Sequence, residues 1–294
     1  MTTRWKAVLF PLGRIVLAVL LVGGAVAVAE VLVKALKGTL SLGGAVPAIY
    51  YTAYLIVSVL VAYFVYRAYV HFVEKRTVTE LSGAGAPKEL GVGMLVGFAL
   101  VAAIIGILWL LGYYSVTGVG LWTAVFVLLA NNGAGAFVEE ILLRGIIFRI
   151  SEEKLGTWIA LAILALMFVI LQLAIANATV TSAIVVGVEG GVLPSAAFVL
   201  TRRLWLAIGI HFAWDFAQDY VFGTTSGATG LVRAQLTGPT LLSGGSSGIE
   251  GSIIALVLCL IGSAYLLVCA GRKGHFVKLS QRRPTLTPAS PSPR

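Results

Sequence analysis

Few residues in this sequence are suited to chemistry, and those few are grouped. The run Glu139-Glu140-Ile141-Leu142-Leu143-Arg144 sets two carboxylates and a guanidinium in otherwise apolar sequence. On a helix, Glu140 and Arg144 share one face at i,i+4 with the acid N-terminal to the base, the favourable order. Glu139 is turned about 100° away from Glu140. The economical division makes Glu140 and Arg144 a structural ion pair and leaves Glu139 as the carboxylate available for chemistry. His211 and Asp215 repeat the i,i+4 spacing, which lets the carboxylate orient the imidazole, and Asp219 continues that face by one turn. A buried Glu facing a His backed by an acid can activate water as base, second proton carrier and electrostatic stabiliser. The same groups suit a metal ion or a proton relay, so all three chemistries stay open at this point.

The elements that must position these groups are membrane helices. Of the 294 residues 59% are hydrophobic and 11% charged, with a mean hydropathy of +0.99, against about 25% charged in ordinary globular domains. A water-soluble single-core domain is excluded. The net charge of +9 comes from basic residues that punctuate long uncharged runs, so they read as topology signals and not as a nucleic-acid surface. Cys259 and Cys269 lie in one apolar run and give neither a disulfide framework nor a metal spacing.

A hydrocarbon core of about 30 Å takes about 20 apolar residues per helix. The expected crossings are Pro11 to Val33, Val46 to Tyr66, two within Leu90 to Val138 broken near Gly112 to Gly120, Leu155 to Ala176, Thr179 to Leu200 after a turn at Asn177, Leu204 to Phe222, and Ser252 to Ala270. The expected fold is an all-α polytopic membrane protein, about eight transmembrane helices enclosing an intramembrane polar site. With the N-terminus inside, Arg4, Lys6, Arg14, Arg67, Lys75, Arg76, Lys88, Arg149, Lys154, Arg202, Arg203 and the tail residues from Arg272 all fall inside. The outer segments hold only Lys34, Lys37 and Arg233, so both termini are expected in the cytoplasm. Ile15 to Ala29 behind its basic residues also has the form of a signal sequence, but the charge alternation favours a retained helix. Gly271 to Arg294, rich in Pro, Ser and Arg, is expected to be a disordered tail. Gly223 to Glu250 is long for a loop and is expected to cap the outer face or dip into the protein.

An ionisable residue at mid-membrane costs at least about 2.5 kcal/mol, so each needs a partner or a function. Glu30 and Asp219, near span ends, read as interfacial residues. Around Glu189, the glycines Gly187, Gly190 and Gly191 would admit either water or a close helix. His71 and His275 read as ordinary surface residues.

Taken together, the motifs resemble the CPBP family of intramembrane proteases, which includes the type II CAAX prenyl endopeptidases and bacteriocin-processing or self-immunity members of the ABI group. Its Glu-Glu-x-x-x-Arg motif is similar to Glu139, Glu140 and Arg144, and its His-x-x-x-Asn/Asp motif to His211 and Asp215. A third motif, Phe-x-x-x-His, falls on Phe168 to Gln172, so Gln172 stands where the family has a second catalytic His, and Gln carries no proton at neutral pH. Glu139 and Gln172 are each roughly 16 residues, or about 24 Å, from the tip at Lys154 to Gly156. Antiparallel neighbours would therefore bring them level, provided the fourth and fifth helices project into the cytoplasm.

The resemblance implies Glu139 as general base, His211 as oxyanion stabiliser or acid, Asp215 as its orienter, and Gln172 as a residue that could hold a water. It leaves the class open between glutamate-type and metalloendopeptidase, with Glu139, Glu140, His211 and Asp215 as the candidate zinc ligands. The implied organisation is an N-terminal pair of helices over 1–76, a protease-like core over 77–271 and the basic tail over 272–294. The implied activity is hydrolysis of peptide bonds in membrane-associated peptides or proteins by a Glu-activated water, weakened by Gln172, in a bilayer expected to be a bacterial plasma membrane. The alternatives are an inactive member serving as scaffold or immunity factor and a coupled transporter, the latter disfavoured because no internal repeat is visible.

Overall fold

The computed structural model describes residues 3–39, 46–175, 178–225 and 230–279, with side chains from 10 to 35 and from 49 onward. The expected turn at Asn177 and the Pro-rich part of the tail lie outside the described residues. Eight main helices follow in order: α1 (Thr3–Thr39), α2 (Val46–Tyr69), α3 (Ala86–Leu110), α4 (Ala124–Leu155), α5 (Thr157–Leu173), α6 (Val180–Thr201), α7 (Trp205–Phe216) and α8 (Ile253–Arg272). Two short strands, β1 (Tyr114–Val119) and β2 (Val232–Leu236), form one antiparallel pair.

The protein is an all-α polytopic membrane protein. Among the described residues six helices are long and apolar enough to cross a bilayer: α1, α2, α3, α4, α6 and α8 with its preceding turn. The other two expected crossings correspond to shorter helices, α5 of 17 residues and α7 of 12, the latter continued by a π-helical turn over Ala217–Val221. Large apolar side chains such as Phe64, Leu95, Leu166 and Ile261 stay exposed on the flanks of these helices, as they must where lipid is the solvent.

The expected break near Gly112 to Gly120 is β1, and its partner β2 comes from the other long outer segment. Two segments expected on the same side thus meet. At the opposite end the basic segments meet. Glu74, almost fully buried, receives Arg14 (2.5 Å), Arg76 (2.7 Å) and Arg149 (2.8 Å), and Glu153 pairs with Arg149 (2.6 Å) and Arg14 (3.1 Å). Burial pushes the Glu80 carboxyl up, but Arg76 (2.6 Å) and the Tyr66 hydroxyl bond it closely enough to hold it below its usual range. The Tyr66 hydroxyl also lies 3.0 Å from the carbonyl of Gly145, tying α2 to α4.

One expectation is corrected here. The tail is not free of contacts from Gly271: Val277 exchanges two hydrogen bonds with Thr157 (3.0 and 2.9 Å), and Phe276 packs on Trp158. His275, read as a surface residue, sits with Nδ1 3.1 and 3.0 Å from the carbonyls of Val199 and Leu200 at the end of α6. Phe276 and Val277 supply apolar surface that the Pro-rich composition further along does not.

Glycines set the spacing around α7. Gly93 and Gly97 of α3 face the backbone of Leu206 to Ile210, and a Cβ on Gly209 would come within 2.9 Å of Met94 N. Only backbone-to-backbone approach fits, the small-residue packing that membrane helices use. It fixes α7, and with it His211, against a rigid neighbour. α4, at 32 residues, is about 48 Å long and exceeds the hydrocarbon thickness of about 30 Å.

Candidate active site

Two helices, α4 and α7, supply the groups that contact His211. From α4, Glu140 Oε1 lies 2.8 Å from His211 Nδ1 and 2.7 Å from Arg144 Nη1. On the other side of the ring, Nε2 lies 3.3 Å from Asp215 Oδ2 on the same helix and 3.9 Å from Glu139 Oε2. The imidazole therefore has carboxylates at both nitrogens, and whichever tautomer it holds, one N–H donates to an acid. Glu140 and Arg144 are almost completely buried, whereas the Glu139 side chain is 55% exposed.

Arg144 is pinned at every donor. Nε donates to Ser195 Oγ (3.2 Å), Nη2 to the carbonyl of Gly190, and Ser195 Oγ in turn to the carbonyl of Gly191 (2.6 Å). The i,i+4 pair read from the sequence is present, but Glu140 does more than neutralise Arg144, since the same oxygen holds His211. Arg144 thus fixes the imidazole through Glu140.

Local helix geometry departs from the α form at each group. A π segment, Ile141–Phe148, follows Glu140, another, Gly187–Val192, carries Glu189, and a third, Ala217–Val221, follows Asp215. Such wide turns are frequent at functional sites because they re-aim side chains within a continuing helix. The glycines beside Glu189 take the close-helix option: a Cβ on Gly191 would come within 2.7 Å of Ala165 Cα, and one on Gly187 within 2.7 Å of Val169 Cγ2. That seats α6 against α5 and turns Glu189 toward α7.

A cavity of about 160 Å³ opens beside His211, lined by Phe168, Glu189, Trp214, Asp215 and Glu250 among others. Gln172 is not among its lining residues; it lies in the last turn of α5, one turn beyond Phe168, and makes no side-chain hydrogen bond among the described residues. Asp219 accepts from Asn132 (3.1 Å) and Thr225 (2.7 Å), and Glu30 accepts from Tyr54 (2.9 Å), so both have ordinary partners away from the site. Among the described residues no group of three or more His, Cys, Asp and Glu side chains has the arrangement of a metal site, and Glu140 Oε1 is taken up by Arg144 and His211.

Sequence reasoning missed Glu250. The signal was available: an acid just before the last apolar run, in the Gly-rich segment expected to dip inward. That segment does reach the core, where Glu250 accepts a hydrogen bond from Gln218 (2.7 Å) and faces the cavity.

A membrane-embedded helical bundle with a carboxylate-flanked histidine between its spans defines a protein with an intramembrane polar site. Residues 120–217, which hold Glu139, Glu140, Arg144, Gln172, His211 and Asp215, match the family described as Type II CAAX prenyl endopeptidase Rce1-like. This agrees with the CPBP resemblance carried by the two motifs. No curated protein and no solved structure matches the chain.

Proposed function

We propose that the protein is an intramembrane endopeptidase in which Glu139 activates water beside His211. The observation that carries the reading is the 3.9 Å gap between Glu139 Oε2 and His211 Nε2. It is too long for a direct hydrogen bond, yet a single water can sit about 2.8 Å from both atoms. Glu139 takes a proton from that water, and the oxygen adds to the peptide carbonyl. His211 Nε2–H then faces the developing oxyanion, with Asp215 orienting the ring and Glu140, held by Arg144, fixing Nδ1. Both termini are placed on the cytoplasmic side, where the basic residues gather.

The substrate class is membrane-associated peptides or proteins. The family's description makes a farnesylated, internally quenched peptide the first probe, with its unprenylated twin beside it. In liposomes containing the full chain, cleavage is expected and is lost in Glu139→Gln; failure of both peptides and of a wider peptide library would overturn the reading. Gln172, away from the cavity and without a hydrogen-bond partner among the described residues, supports a second reading, a non-catalytic scaffold or immunity protein. In that case binding of a membrane peptide survives Glu139→Gln.

A further inference from the structure

The mechanism above leaves the cavity beside His211 without a role. His211 and Asp215 line it, whereas Glu139 and Glu140 do not. Its acidic wall is Glu189 and Glu250. Glu189 makes no hydrogen bond or ion pair among the described residues, although it lies within a membrane-spanning helix, where an unpartnered ionised carboxylate is costly. Glu250 is brought to the same space by a turn that only glycines adopt readily: Gly244, Gly245 and Gly248 have φ of 81°, 59° and 60°. Ser252 bonds the carbonyl of Leu242 and caps α8, closing this turn.

A separate observation shows an unmet donor in the wall of this cavity. Trp214 also lines it, is 1% exposed, and its Nε1–H finds no acceptor among the described residues. Buried donors are rarely left unpaired, and an indole N–H can only donate. Its acceptor has to come from a group that enters the cavity or moves within it. The cavity is also small, about 160 Å³, so a proton crosses it in a few hydrogen bonds.

We propose that Glu189 is the acid of this site that protonates the departing amine, with Glu250 beside it in the cavity wall as a positioning residue. The proposal rests on the endopeptidase reading. The proton of the attacking water goes to Glu139 as its oxygen bonds the carbonyl carbon. The C–N bond then breaks with its electron pair on nitrogen, and the nitrogen takes the proton of Glu189. Trp214 Nε1–H donates to the carboxylate so formed. The proton on Glu139 passes through His211 and the cavity water to Glu189, which restores the starting state with one water consumed per bond cut. Glu250, held by Gln218, is a positioning residue whose charge sets how readily Glu189 releases its proton.

The test uses the full chain in liposomes, the farnesylated quenched peptide and a membrane-permeant carbodiimide, a reagent that modifies protonated carboxyls. E189Q is expected to lower kcat by about 10²–10⁴-fold with KM within about twofold, and to abolish the alkaline limb of the kcat profile; E189D restores part of both. E250Q should keep cleavage while moving that limb to lower pH, which a purely structural role would not do. Mass spectrometry should find Glu189 modified by the carbodiimide, in E139Q as well as in the native chain, with modification fading as pH rises. Cleavage by E189Q equal to that of the native chain, or Glu189 unmodified at every pH while Glu139-dependent cleavage proceeds, would overturn the proposal and leave the endopeptidase reading intact. A native chain that cuts no peptide while Glu189 is still modified would sink the endopeptidase reading and the acid role with it.

Discussion

Two clusters of charge in this molecule are built from similar residues and differ in one respect, saturation. At the basic end, Glu74 is matched by three arginines, and Glu80 and Glu153 each have a partner at close range. Around His211, five carboxylates, Glu139, Glu140, Asp215, Glu189 and Glu250, face Arg144 and one imidazole, and buried polar atoms are left over, Glu140 Oε2 and Trp214 Nε1 among them. The first cluster has spent its charge on holding α1, α2 and α4 together. The second leaves groups without a partner among the described residues. Saturated networks specify structure, and partly satisfied ones in a low-dielectric interior persist where a function needs them.

The contrast breaks most visibly at Arg144, the one residue of the inner site that is saturated. Arg144→Met should leave Glu140 uncompensated and cost about 3–5 kcal/mol, read as a large fall in the thermal midpoint of the purified protein. A variant as stable as the native chain would mean that Glu140 needs no counter-charge. Glu139→Gln should do the reverse. Its side chain is the least buried of the site, so the midpoint should stay within about 0.5 kcal/mol of native while peptide cleavage falls about 10²–10⁴-fold. Equal stability losses in Glu139→Gln and Glu140→Gln would erase the division of labour between them.

Glu80 sharpens the comparison from the saturated side. Its carboxyl sits below its usual range when folded, so its contribution is fully present above the unfolded value of about 4.3 and is lost as pH falls through the lower folded value. Glu80→Gln should cost about 1.5–3 kcal/mol at neutral pH, the range for hydrogen bonds to charged groups, and the gap from the native chain should close on acidification. A gap that stays constant from neutral to acid pH would show that Glu80 acts by shape alone. The smallest effect belongs to Gln172. Gln172→Ala should change stability by no more than about 0.5 kcal/mol and leave cleavage unaltered, whereas a marked loss of cleavage would return Gln172 to the site.

Much of the architecture was legible because the bilayer leaves few choices. Backbone groups in hydrocarbon must bond within the helix, so runs of apolar residues become spans: Ala86–Leu110 and Ile253–Arg272 lie near the expected limits, while Ala124–Leu155 starts within the run sought between Leu90 and Val138 and continues 17 residues past it. The pairing of Glu140 with Arg144 was equally plain, since i,i+4 contact is a property of the helix itself. The strand pair was not. β1 and β2 are separated by more than a hundred residues, and only the return of both chain segments to the same surface brings Tyr114 opposite Leu236.

Sequence alone determined that this chain lives in a membrane, where its helices run, and which acids and which histidine stand in the wrong solvent. Charge cost and helical period are local quantities, and both can be read residue by residue. What met what was decided only in three dimensions: that Glu140 serves Arg144 and His211 with one oxygen, that Gln172 stands aside from the cavity, and that Glu250 folds back from the last loop to face Glu189. Those contacts depend on π turns, on glycine-thin helix crossings and on a loop of left-handed glycines, and each is a compromise among several packed elements that no single stretch of sequence contains.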